Sequence, residues 1–433
     1  MAGNRSKLAE LRRRQAEIAS EIAQLEAPVS PFAPERFPAL PPVEGVRLSS
    51  AAAGVRYPNR TDVMLAELAA GSVIAGTFTR SETRSAPVLW CQERIAALAA
   101  RRAGKKLAIV VNSGNANAFT GRHGREAVEA VMAATGRVLG VPAGNVLMAS
   151  TGVIGEPLAA ERVTAKLEEL AAGLSAGGLE GAARAIMTTD TYAKGASAVI
   201  DIDGVPVTIS GFAKGSGMIA PDMATMLGFI ATDASIAAAA LRDMLSAAVK
   251  VSFNAITVDG DMSTNDTVLV LANGESGVAL DERSKALFQE ALHQVCDCLA
   301  DKIVADGERI TKVVEILVSG GASDRDAENI ARVIGNSLLV KTSWYGNDPN
   351  WGRLMDALGY ADAQIDQYVI DISYDDVPAL VSGNPIPENK PNWKEVVSKS
   401  RFSIRIDMHQ GNGKYRLRAS DLTEGYVDFN KSE

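Results

Sequence analysis

Histidine is scarce in this 433-residue chain, which has only His123, His293 and His409. None of them sits in a nucleophile elbow or a zinc-binding helix motif, so a histidine-based triad and a metalloprotease-type centre are set aside. Three cysteines, Cys91, Cys296 and Cys298, cannot make a disulfide framework, and unpaired thiols fit a reducing, cytoplasmic setting. Cys296 and Cys298 beside His293 do not amount to a zinc set with suitable geometry, and no metal is expected. Long apolar runs are missing too: glycine, proline or charge interrupts each candidate before the roughly 20 residues that cross a bilayer. The N-terminus, Met1 to Lys7, carries mixed polar residues rather than the apolar stretch of a secretory signal. Positive charge is not in surplus: 44 Lys and Arg against 52 Asp and Glu give a formal net charge of -8. That balance argues against nucleic-acid and anionic-membrane partners and leaves small charged metabolites open.

With 47% hydrophobic and 22% charged residues, the chain can bury a large core and divide into two or three structural units. Leu8, Leu11, Ile18, Ile22 and Leu25 recur at helical spacing, interrupted by Gln15, and predict an amphipathic helix within residues 1–27. Docking on its own domain and an oligomer contact both remain open for it. Prolines 28, 31, 34, 38, 41 and 42 predict an extended linker over 28–42, with the folded body starting near Val43. Strands are expected at Leu107–Val111, Asn145–Ala149, Phe229–Thr232 and Arg309–Val318. Helices are expected at Arg125–Leu139, Ala237–Val249 and Ser284–Val304, and from a Ser323 cap towards Gly335. Ala198–Ile209 reads as a hairpin turning at Asp203-Gly204. Phe402–Met408, reversing through Gly411-Asn412-Gly413 into Tyr415–Ala419, reads as a second, half-buried hairpin. Hairpins mixed with helices, without steady βαβ alternation, predict a layered α+β sandwich.

Chemistry concentrates in Lys214-Gly215-Ser216-Gly217-Met218-Ile219-Ala220-Pro221-Asp222-Met223-Ala224-Thr225-Met226-Leu227. A threonine hydroxyl is a poor nucleophile unless a base assists it, and an N-terminal threonine carries that base in its own α-amino group. Cutting the Ala224–Thr225 bond would create such an amine, with an ordinary pKa of about 7.7–8.0. Gly215 to Ala220 formally matches a dinucleotide fingerprint, but it does not open a helix in a βαβ unit and reads better as a close-approach backbone turn. Ser150-Thr151-Gly152 offers a hydroxyl and backbone N–H groups suited to an oxyanion, or else an ordinary strand-to-loop turn. Asp259 to Asp266 superficially resembles a calcium loop without its closing glutamate, and reads as a polar loop that positions other groups.

Six blocks in order resemble the ornithine acetyltransferase family, also called glutamate N-acetyltransferases, of arginine biosynthesis. They are Asn112-Ser113-Gly114-Asn115-Ala116-Asn117, Ser150 to Gly155, Met187-Thr188-Thr189-Asp190-Thr191, Lys214 to Leu227, Asp259 to Thr267, and Lys341-Thr342 with Asp348-Pro349-Asn350-Trp351-Gly352-Arg353. The resemblance implies the α/β/β/α sandwich of the self-cleaving ornithine acetyltransferase and aminopeptidase type, with the N-terminal helix as an addition. It implies transfer of acetyl from N2-acetyl-L-ornithine to L-glutamate by ping-pong chemistry, without a cofactor, acetyl-CoA being an additional donor in some members. It further implies autocatalytic cleavage between Ala224 and Thr225 into an α part, 43–224, and a β part, 225–433, that stay together as a heterotetramer of two α and two β chains. By motif match Thr225 is the nucleophile, Thr151 and Gly152 form the oxyanion hole, and Thr188, Lys214, Thr225, Glu308 and Asn430 contact substrate.

The chain departs from that pattern in places. Arg309 follows Glu308 where the family has a glycine, placing a cation beside the carboxylate; Phe119 replaces a small residue, and the chain stops three residues after Asn430. These departures keep two alternatives in view: a self-cleaving aminopeptidase-like hydrolase, and a silent paralogue acting as an interaction protein.

Overall fold

In the computed structural model the structure describes residues 28–99, 104–220 and 226–431, together with Lys7 and Arg14. The helix expected within 1–27 lies outside the described residues apart from those two positions, and so do Ala224 and Thr225.

Among the described residues the strands form three sheets. A four-stranded sheet runs in the order Val46–Ala51, Val63–Leu68, Leu107–Asn112, Val146–Ser150. A five-stranded sheet runs Val73–Phe78, Thr267–Ala272, Leu227–Thr232, Val205–Lys214, Lys194–Ile202. The two stack face to face, with Met64, Ile109 and Leu147 of the first packed with Phe212, Phe229 and Leu269 of the second. Alternate residues of the first sheet, Leu65, Val110 and Met148, face the helix Gly121–Leu139 through Val128, Val131 and Met132. On the outer face of the second, Ile209, Ile230 and Val270 face the helices Ala238–Val251 and Glu282–Ala305 through Leu245, Leu292 and Ile303. The layers therefore follow the order helix, sheet, sheet, helix, the α/β/β/α sandwich of the α+β class. Strands covered on both faces need apolar residues at every position, which is why Leu107–Val111 reads as a continuous run.

Local signals place these elements. Asp203 and Gly204, at φ 53° and 85°, make the primed turn that joins Lys194–Ile202 to Val205–Lys214. Helix Glu282–Ala305 starts on a capping box in which Ser284 N–H donates to Asp281 Oδ1 at 2.7 Å and Asp281 N–H to Ser284 Oγ at 2.8 Å. No described helix is long and apolar enough to cross a membrane.

A second unit is built on a seven-stranded sheet in the order Asn384–Pro385, Val377–Val381, Asp371–Tyr374, Arg401–Asp407, Val313–Gly321, Gly413–Ser420, Ile256–Thr257. Helices Asp324–Asn336, Leu338–Tyr345, Trp351–Gly359 and Lys390–Val397 cover one face. Towards the sandwich, Arg418 Nη2 pairs with Asp297 Oδ2 at 2.7 Å on the helix Glu282–Ala305.

The hairpin expected between Phe402–Met408 and Tyr415–Ala419 does not form. Strand Val313–Gly321 inserts between the two segments, parallel to Arg401–Asp407 and antiparallel to Gly413–Ser420. Alternation reports which face of a strand is buried and carries no information about its neighbour. The connection instead closes over the end of the inserted strand, where a Cβ at Gly413 would clash with the Ser323 backbone. His409 in this connection pairs its Nε2 with Asp371 Oδ2 at 2.8 Å.

The proline-rich segment 28–42 lies along the sandwich. Ser30 N–H donates to Thr191 Oγ1 at 3.0 Å, Ser210 Oγ donates to Pro41 O at 2.7 Å, and Phe37 and Leu40 fill the space a Cβ on Gly195 would need.

Candidate active site

Strand Val205–Lys214 ends in a buried lysine. Lys214 Nζ donates to Thr188 Oγ1 at 2.7 Å and to Thr151 Oγ1 at 3.2 Å. Burial pulls the Lys214 ammonium below its ordinary pKa, against the opposing pull of Asp190 4.0 Å away. Lys214 is also the register partner of Leu227. The expected nucleophile, Thr225, lies outside the described residues; Met226, which follows it, donates its N–H to Asp266 Oδ1 at 3.1 Å.

The asparagine block shapes the Thr151–Gly152 loop. Ser150 Oγ donates to Asn112 Oδ1 at 2.6 Å, and Asn112 Nδ2 donates to Asn115 O at 2.8 Å. Asn265 Nδ2 ties Ala116 O at 2.7 Å to Ser150 O at 2.8 Å. At Gly152, φ is 127° and a Cβ would collide with the backbone of Gly114 and Asn115, so only glycine lets the two loops approach this closely. The Thr151 N–H is spent on Asn112 O at 3.0 Å. The donors suited to an oxyanion are therefore the Thr151 hydroxyl and the Gly152 N–H. Because Thr151 Oγ1 accepts from Lys214, its own hydrogen can point elsewhere.

Glu308 and Asn430 form a second cluster, reached by the turn that follows Lys214. Asn430 Nδ2 donates to Glu308 Oε2 at 2.8 Å, and Glu308 N–H donates to Ser216 O at 3.3 Å. A side chain at Gly217 would collide with the Glu308 carboxylate, so Gly215 to Gly217 is the close-approach turn its composition suggested, and it meets a carboxylate. The Arg309 guanidinium turns to the C-terminal helix Glu424–Asn430, lying over the Phe429 ring at 4.9 Å and donating to Pro28 O at 3.4 Å. The same helix is held by Thr423 Oγ1, which donates to Arg309 O at 2.8 Å, and by Tyr426 Oη, 3.3 Å from Asp259 Oδ2. Asp259 also accepts the N–H groups of Met218 at 2.6 Å and Ile219 at 2.7 Å. Burial outweighs these donors and pushes the Asp259 carboxyl up to about 6.

Beneath both clusters lies an ionic group that no single sequence motif marks. Lys194 Nζ is 2.6 Å from Asp190 Oδ1 and 2.6 Å from Asp306 Oδ2, with all three side chains fully buried. Asp190 further accepts from Thr188 N–H at 3.0 Å and Gly215 N–H at 2.7 Å, which ties the Thr188 loop to the turn after Lys214. Burial alone would raise the Asp190 pKa, but the Lys194 and Lys214 ammonium groups more than offset it and hold the carboxyl well below its ordinary range. Asp306, under the same burial and facing the charge of Asp190, is pushed up. Asp190 is a member of a motif block, whereas Asp306 and Lys194 are not; Asp190 lies four residues before Lys194, but the second carboxylate, Asp306, comes from 112 residues away.

Thr151, Thr188 and Lys214 are thus brought into direct contact, Glu308 and Asn430 pair with each other, and Gly215–Gly217 runs between the two groups. A four-layer sandwich with hydroxyl donors and a buried cation at the end of a central strand places the molecule in the class of α/β/β/α sandwich enzymes. More particularly, the chain belongs to the ArgJ family, whose family model matches residues 47–432. It is 52% identical over 403 residues to the arginine biosynthesis bifunctional protein ArgJ of Ruegeria pomeroyi, covering 93% of this chain and 97% of that one. The protein of the same name from Nitrobacter winogradskyi is 45% identical over 411 residues, covering 93% and 98%. Among solved structures, the chain is similar to the arginine biosynthesis bifunctional protein argJ of Bacillus halodurans, at 37% identity and TM-score 0.46 over 48% of this chain and 100% of that one. It is also similar to the ornithine acetyltransferase of Mycobacterium tuberculosis complexed with ornithine, at 30% identity and TM-score 0.33 over 42% and 92%.

Proposed function

We propose that the protein is a glutamate N-acetyltransferase of arginine biosynthesis that moves acetyl from N2-acetyl-L-ornithine to L-glutamate through an acetyl-threonine. Cleavage at Ala224–Thr225 frees the amine of Thr225 and leaves residues 1–224 and 225–433 associated, as a heterotetramer of two α and two β chains in the cytoplasm. The Thr225 hydroxyl attacks the acetyl carbonyl while its own α-amine takes the proton. The Thr151 hydroxyl and Gly152 N–H stabilise the oxyanion, the C–N bond breaks, and ornithine leaves with the proton returned to its amine. Glutamate then attacks the ester through its amine and departs acetylated, restoring Thr225. Lys214 and Thr188 hold the carboxylate shared by both substrates, and Glu308 faces the side-chain ammonium of ornithine. Asn430, whose amide both donates and accepts, suits either side chain.

The observation that carries this reading is the Lys214 ammonium bridging the hydroxyls of Thr151 and Thr188. It joins a carboxylate-binding cation to an oxyanion donor at the end of the strand paired with Leu227. Acetyl-CoA acts as a second donor to the same threonine, in keeping with the word bifunctional in the relatives' names. Intact-mass measurement tests the first step: wild type should give two fragments meeting at Ala224–Thr225, and Thr225→Ala a single chain. With both substrates the products should be ornithine and N-acetylglutamate. Release of acetate in place of N-acetylglutamate would overturn transfer in favour of hydrolysis.

A further inference from the structure

A cavity of about 430 Å³ opens between the helices Ala86–Ala99 and Gly121–Leu139. Its lining does not include Thr151, Thr188 or Lys214, and its size falls within the roughly 300–1,000 Å³ of small-molecule sites. Its wall includes Arg84, Arg122, Arg125, Trp90 and Phe119, with Glu93 as the one carboxylate among its lining residues.

The wall suits an anion on two grounds. Arg125 is shared with Glu129 at 3.0 Å and Glu93 at 3.5 Å, but Arg84 Nε donates to a neutral carbonyl, Ser81 O at 2.8 Å, and its guanidinium keeps its charge unneutralised by that bond. The 19-residue helix Gly121–Leu139 begins at this wall with no acidic residue in its first turn. Thr120 does not cap it and gives its hydroxyl to Asn117 Oδ1 at 3.0 Å, so the positive end of the helix meets the cavity without a side-chain acceptor.

The same wall suits a planar ring. Phe119 is 63% exposed and sits at φ 58°, a conformation that costs a bulky residue and normally signals a local demand. Trp90 is fixed by its Nε1 donating to Val146 O at 3.0 Å and backed by the Arg94 guanidinium at 4.8 Å. A polyanion next to a planar ring is the chemistry of a phosphorylated nucleotide.

The segment carrying Asn117 and Phe119 leads back to the reacting loop. Ala116 N–H donates to Val153 O at 2.9 Å, and Gly155 N–H donates to Ala118 O at 3.0 Å. We infer that this cavity binds the phosphorylated nucleotide end of a thioester acyl donor of the coenzyme A class, whose acyl arm runs along Asn115–Phe119 to the Thr151–Gly152 loop. The inference rests on the two-donor reading above. In the step it serves, the thioester C–S bond breaks, the Thr225 ester forms, and the thiol leaves with the hydroxyl proton.

Arg122→Glu and Phe119→Ala are surface changes that keep the fold, and each is compared with the cleaved wild type in two assays. Losing one charge-assisted contact should raise the KM for acetyl-CoA about tenfold or more. Exchange from N2-acetyl-L-ornithine to glutamate should stay within about twofold, since neither residue meets the reacting groups. ADP and coenzyme A should bind wild type by calorimetry and lose affinity in Arg122→Glu, whereas inorganic phosphate matching ADP in affinity overturns the nucleotide assignment. Wild type that uses acetyl-CoA with unchanged KM in both variants overturns the cavity alone. Wild type that uses N2-acetyl-L-ornithine but neither accepts acetyl-CoA nor binds ADP or coenzyme A overturns the two-donor reading and the cavity together.

Discussion

In the seven-stranded sheet, Val314, Ile316, Ile404 and Ile406 pack with Trp344 and Leu354, and of its buried polar residues, which also include Lys312, Ser343 and Asp421, Lys341 and Ser420 stand at the border with the sandwich. There Ser420 Oγ reaches Val258 O at 3.3 Å, and burial pulls the Lys341 ammonium down to about 8. In the sandwich, by contrast, Asn112, Asn115, Asn117, Thr151, Asp190, Lys194, Lys214 and Asp306 are all buried, and their hydrogen bonds run towards one end of the central strands. A buried polar group without a partner costs about 1–3 kcal/mol, so each must be bonded, and a network of bonded polar groups fixes geometry more narrowly than apolar packing does. The second unit is held by apolar packing; the first carries the bonded polar network.

Removing the centre of the polar network should break the contrast most. Lys194→Met leaves Asp190 and Asp306 facing each other in a buried site, and stability measured by denaturant should fall by about 3–5 kcal/mol. Ile404→Val, in the apolar core of the second unit, should lose only about 0.5–1.5 kcal/mol and leave turnover unchanged. Equal losses would mean that the ionic group is not what sets the two units apart.

Thr151→Ala comes next. Removing one oxyanion donor should lower kcat about 100- to 1,000-fold while the melting temperature changes little, and Thr151→Ser should recover most of it. A loss confined to KM would move Thr151 from the oxyanion to substrate binding.

The smallest effect concerns pH. Asp259 is raised in the folded state to about 6 from an ordinary 3.8, so as pH falls through that window the native protein takes up a proton that the unfolded chain does not. Global stability from this group therefore rises as pH falls from about 6 towards 4, while one of its acceptor positions towards Met218 or Tyr426 is lost. KM for both amino-acid substrates should rise below pH about 6, and Asp259→Asn should remove that part of the profile; a profile identical in the variant would exclude Asp259 as its source.

How much of this was legible in the sequence depended on the range of the interaction. The Asp203-Gly204 turn, the Ser323 cap and the continuous run Leu107–Val111 each report a local backbone or burial demand, and each sits where its signal put it. The reversal after Met408 does not pair its two flanking segments, because strand order in the second unit is decided by strand Val313–Gly321, about eighty residues earlier in the chain. Thr151-Gly152 was recognisable as a hydroxyl beside a glycine. Which donors face outward was not, because Asn112 O takes the Thr151 N–H through a contact between strands. Arg309 looked like a partner for Glu308, but its φ of 58° and the nearby Phe429 ring send the guanidinium to the C-terminal helix instead.

The most direct test is a single-turnover experiment with the cleaved protein and N2-acetyl-L-ornithine alone, followed by peptide mass analysis. Ornithine should be released in an amount equal to active sites, with the acetyl group retained on the peptide that begins at Thr225. Ornithine release only when glutamate is present, or an acetyl group found on any other residue, would contradict the acetyl-threonine.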